Sequence, residues 1–107
     1  MDRQQRLHLF SLAAHRLAVE RLREQPARLR EAMGVLQRWR ALAGGPSNCD
    51  RYWDEWDTLL HAGADAVEAA VCTQDDHAAA LRSTSPLGRF LTVAERNRLL
   101  REAPSPS

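Results

Sequence analysis

Apolar residues in this chain recur at intervals of three and four, and no stretch alternates with the period of two that a strand requires. Between Arg3 and Glu24 they fall at Leu7, Phe10, Ala14, Leu17, Ala18 and Leu22, one stripe down a helix. Arg6, Arg16, Glu20, Arg21, Arg23 and Glu24 take the other faces. Gln25-Pro26 ends the pattern, because proline lacks an N–H and restricts the residue before it. Proline also suits the first turn of a helix. A second helix is therefore expected over Pro26–Ala43, burying Leu29, Ala32, Met33, Leu36, Trp39 and Ala43. Gly44-Gly45-Pro46-Ser47-Asn48 stops it, each residue suited to a turn for its own steric reason.

Shorter helices should follow. Asp50 is a good N-cap for a third helix carrying Trp53, Trp56, Leu59 and Leu60, with Gly63 marking its end or a bend. Ala66, Val67, Ala70 and Val71 support a fourth helix over Asp65–Val71. Thr73-Gln74-Asp75-Asp76 places acidic groups at the positive end of a fifth, Asp75–Arg82. After a loop from Ser83 to Gly88, Thr92-Val93-Ala94-Glu95 fits a capping box and predicts a last helix over Val93–Arg101. With 107 residues there is room for one domain, expected over 2–102, with 103–107 a disordered tail. The expected fold is all-α: a compact bundle of about five to six helices, two longer N-terminal ones followed by shorter ones.

All 15 basic residues are Arg, and Lys and Ile are absent. The codon bias of a GC-rich bacterial genome accounts for this, so Arg content alone does not argue for anion recognition. The distribution of charge says more. Residues 1–43 carry +5, residues 44–81 carry −7 and residues 82–107 carry +3. Two readings follow: basic and acidic helices attract each other inside the bundle, or a two-signed surface steers a partner of complementary charge. The acidic centre weighs against a wide nucleic-acid surface, which needs a contiguous basic footprint.

Residues for chemistry are scattered. His8 and His15 lie about 10 Å apart along one helix, too far to share a metal ion, and no H-E-x-x-H or C-x-x-C spacing occurs. His8, His15, His61 and His77 are therefore expected to be exposed or half-buried structural residues. Asp54, Glu55, Asp57, Asp75 and Asp76 read as a solvated acidic face, since adjacent helix positions point apart. Gly44-Gly45-Pro46-Ser47 lacks the lysine and spacing of a phosphate-binding loop. Cys49 and Cys72, in a chain without a visible signal peptide, are expected as two free thiols of a cytoplasmic protein. No apolar run reaches the roughly 18 residues of a membrane span. The expectation is no enzyme, no cofactor and no metal.

The largest apolar groups pose a different question. Trp53 and Trp56, three apart on one face, are expected to pack together onto the second helix. Tryptophan is also enriched at interface anchors, so one of Trp39, Trp53 and Trp56 is a candidate for partner contact. Leu87, Phe90 and Leu91 either plug the open end of the bundle or dock a partner. The candidate partner-binding residues are Arg38, Trp39, Trp53, Trp56, Arg82, Leu87, Phe90 and Leu91.

Four segments form an ordered series: Arg38-Trp39-Arg40, the run from Trp53 to Leu60, the run from Leu81 to Leu87, and Thr92-Val93-Ala94-Glu95-Arg96. The series, over about residues 7–102, resembles a group of small bacterial helical proteins encoded beside toxin genes, some next to nucleotidyltransferase-like toxins. The resemblance implies an antitoxin that neutralises a toxin enzyme, and transfers no catalytic residue to this chain. The leading expectation is thus a non-catalytic protein-binding module. The alternatives are a DNA-binding regulator of its own operon, which lacks a convincing helix-turn-helix at Gln25-Pro26, and a structural or homo-oligomerising helical protein.

Overall fold

The computed structural model describes residues 3–102, and the tail expected at 103–107 lies outside them. Six α-helices follow one another: α1 (Arg3–Glu24), α2 (Ala27–Ala43), α3 (Asp50–Ala62), α4 (Ala64–Val71), α5 (Asp76–Ser83) and α6 (Val93–Glu102), with one 3-10 turn at Gly88–Phe90. No strand occurs among the described residues, and the all-α bundle with two long N-terminal helices is the observed fold. The long α1 is the spine. It packs against α2, α4, α5, α6 and the 3-10 turn, while α3 lies across α2, α4 and α5.

The breaks have local causes. Gly44 closes α2 in the left-handed region at φ 70°. Gly63, at φ 116° and ψ 178°, lets α3 turn directly into α4 without a loop, and its N–H still reaches Leu59 O at 3.0 Å. Two starts are shifted by one residue, α2 later and α3 earlier than expected. Pro26 sits at the cap of α2 rather than in its first turn, and Cys49 rather than Asp50 takes the cap position of α3. Asp50 instead accepts from Ser47 N–H at 2.9 Å, while Ser47 Oγ accepts from Cys49 N–H at 3.2 Å. The other two starts are chemically complete. Asp75 accepts from Ala78 N–H at 2.8 Å, and Thr92 and Glu95 exchange both bonds of a capping box, at 3.0 and 2.9 Å.

One core joins Ala18, Val19, Leu22, Ala32, Leu36, Trp56, Leu60, Val67, Val71, Leu81, Leu87, Phe90 and Leu91. On α1 the buried face is rotated from the expected stripe: Leu12, His15 and Val19 are inside, and Leu7 is exposed. The reason is that α1 is covered on several sides, so its contacting face is wider than the stripe. On α2, Val35 is buried and Ala43 is exposed. Trp53 and Trp56 separate instead of packing together. Trp53 meets Trp39 of α2, and Trp56 turns inward to His15 of α1.

Candidate functional site

Burial sorts the candidate residues into two sets. Trp56 is 0% exposed, and its indole N–H donates to Leu81 O at 2.8 Å, tying α3 to α5. Leu87, Phe90 and Leu91 are also in the core, where the 3-10 turn folds them against the bundle. Arg28 stands over the Phe90 ring at 5.7 Å. Arg82 is buried as well and spends its Nη1 on the carbonyls of Val71, at 2.8 Å, and Thr73, at 2.7 Å, closing the C-terminal end of α4. These five hold the chain to itself.

Arg38, Trp39 and Trp53 stay at the surface. Arg38 is exposed, and Trp39 and Trp53 are half-buried with ring centroids 6.3 Å apart and planes at 41°. The apolar row of α2 that starts inside at Val35 passes Trp39 and ends at Leu42, which is 84% exposed. Spacings of four and three put these three residues on one side of the helix. Leu42 was not among the sequence candidates; its only signal was that seven-residue continuation into a turn of small residues. At the rim, Arg40 pairs with Asp54 across the α2–α3 seam at 2.6 Å. Arg51 lies 4.7 Å over the Tyr52 ring and donates to its hydroxyl.

The segregated charge is answered in part within the fold. Arg23 on α1 bridges Glu68 and Asp65 on α4, at 3.0 and 2.7 Å, and its hydrogen bonds hold the Glu68 carboxyl below its ordinary pKa. Arg21 pairs with Glu95 of α6. His77 meets Glu55 at 2.8 Å. All of these pairs are at least partly open to solvent, where each contributes little.

His15 corrects the expectation of an exposed or half-buried histidine: only 9% of it is accessible. Its Nδ1 lies 2.8 Å from Ser11 O, so Nδ1 carries the proton and donates. Nε2 is then a bare acceptor, buried without a partner. Burial is the main cause that lowers the His15 pKa, and the nearby Arg82 charge adds to it. Cys49 and Cys72 are free thiols, and burial raises the pKa of Cys72, which keeps it protonated and a weak nucleophile. Among the described residues no three or more of His, Cys, Asp and Glu gather as metal ligands, and no helix is long and apolar enough to cross a membrane. The chain matches no family model, no curated protein and no solved structure.

Proposed function

We propose that the protein is a non-catalytic binding module that docks a protein partner on the α2–α3 end, acting as an antitoxin-like neutraliser of an enzyme encoded nearby. The observation that carries the docking face is the apolar row leaving the core from Val35 through Trp39 to Leu42, beside Trp53. An exposed leucine on the same helix face as a half-buried tryptophan, with Arg38 and the Arg40–Asp54 pair nearby, has the anatomy of an interface centre with a charged rim. The matching partner surface is an apolar pocket edged by carboxylates. What supports a toxin as that partner is the ordered motif series, since no residue contact points to one.

Nucleic acid fits less well. Arg21, Arg23 and Arg40, three of the cations on the basic N-terminal helices, already face carboxylates of this chain, which reduces the footprint available for phosphates. The test is co-expression with the adjacent gene product, followed by co-purification and light scattering. A stable complex that is lost on Leu42→Asp is the expected result. A chain that co-purifies alone, or self-associates through the same face, contradicts the reading.

A further inference from the structure

We propose that the open cleft between α1 and α5 binds a free α-amino acid with an apolar side chain. In this arrangement Arg82 meets the carboxylate, Asp76 meets the ammonium group, and Leu9, Leu12 and Ala79 receive the side chain. The cleft has a volume of 330 Å³ and shares no residue with the α2–α3 docking face. That size lies within the roughly 300–1,000 Å³ of small-molecule sites.

Only 7% of Arg82 is accessible, its Nη1 is bound by two neutral carbonyls and its Nε is sealed from solvent, which leaves Nη2 as the uncommitted donor that a ligand can reach. No carboxylate touches it. Burial lowers its pKa from the usual guanidinium value, the sign of a cation held without full compensation. A buried charge is stable only when paired and hydrogen-bonded, so an entering carboxylate has a ready place.

A simple anion is nevertheless a poor occupant, because Asp75 and Asp76 line the same cleft. Asp75 is engaged: one oxygen caps Ala78 N–H and the other accepts from the Thr73 hydroxyl at 2.7 Å. Asp76 is exposed and forms no ion pair among the described residues. The guanidinium of Arg82 folds back from its own position to Thr73 O at 2.7 Å, and Thr73 is bonded to Asp75. A cation with no carboxylate partner and an unpaired aspartate therefore line the same cleft, at the start of α5. A lone carboxylate is repelled by the aspartates and a lone amine by Arg82; a zwitterion satisfies both. The apolar floor of Leu9, Leu12 and Ala79 selects a leucine-like side chain over a charged one.

The test is isothermal titration of the full chain with L-leucine, 4-methylpentanoate and 3-methylbutylamine, which share a side chain and differ in the charged groups. Saturable binding of leucine is expected, with each analogue at least about tenfold weaker, the usual cost of losing one charge-assisted bond. Asp76→Asn should weaken leucine by a similar factor. Leu9→Trp, which fills the floor and spares both charges, should abolish binding while helicity by circular dichroism is unchanged. Arg82→Met also strips the end of α4 of two bonds, so Leu9→Trp and the analogues decide the matter if it fails to fold. Absence of saturable leucine binding overturns the proposal. So does 4-methylpentanoate or 3-methylbutylamine binding as tightly as leucine, or leucine binding that survives Leu9→Trp.

Discussion

Helices α3 and α6 are both bounded by local signals, yet they hold very different places in the molecule. α3 buries Trp56 and Leu60 and lies between α2, α4 and α5, whereas α6 has no buried residue and rests on α1. What holds α6 is its edges: the capping box at Thr92, the Arg21–Glu95 pair, Arg96 bonded to Gly88 O, Arg6 donating to Leu100 O, and Leu99 against the core. The difference teaches that a helical pattern fixes the element, while depth in the bundle fixes what the element contributes to stability.

The comparison breaks most readily at Trp56. Trp56→Ala should cost about 3–5 kcal/mol, enough to remove most of the stability of a small domain, measured by urea denaturation. A loss no larger than for an α6 substitution contradicts the central role given to α3. Thr92→Ala should cost about 1 kcal/mol, and the loss should be local. Hydrogen exchange should then find the amides of Val93–Glu102 opening well below the global free energy, with α3 unchanged.

A smaller effect separates the two regions by pH. His15 faces Trp56 and is held neutral, so its folded pKa lies below the unfolded value and the unfolded chain binds the extra proton first. Its contribution is complete above the unfolded value and is lost as pH falls from there towards the folded pKa. His15→Gln should flatten that part of the stability profile; a slope that survives the substitution assigns it to another group. The smallest effect belongs to Arg21→Gln at the α1–α6 seam, which should shift the unfolding midpoint slightly at low salt and not at all in high salt.

Much of the fold was legible because its punctuation is local. Pro26, the Gly44–Asn48 cluster, Gly63, Asp75 and Thr92 act within one turn of themselves, and the helices they bound fall within a residue or two of expectation. Burial was less legible. The inward turn of His15, the exposure of Leu7 and the separation of Trp53 from Trp56 depend on which helices cover α1 and α3, and spacing along one helix carries no record of that. The same holds for the candidate site. Arg82 is a surface residue by type, yet it is enclosed because its guanidinium closes the end of α4. Leu42 is a core residue by type, yet it projects into solvent because the bundle ends before it.

The docking face can be set directly against α6, because the most exposed large apolar residue of each is similarly open, Leu42 at 84% and Val93 at 75%. The decisive measurement is the affinity of the Leu42→Asp and Val93→Asp variants for the co-purified partner, with circular dichroism as the control for folding. The account predicts at least a tenfold rise in Kd for Leu42→Asp and no change for Val93→Asp. Equal effects, or loss of binding only at Val93, would contradict it.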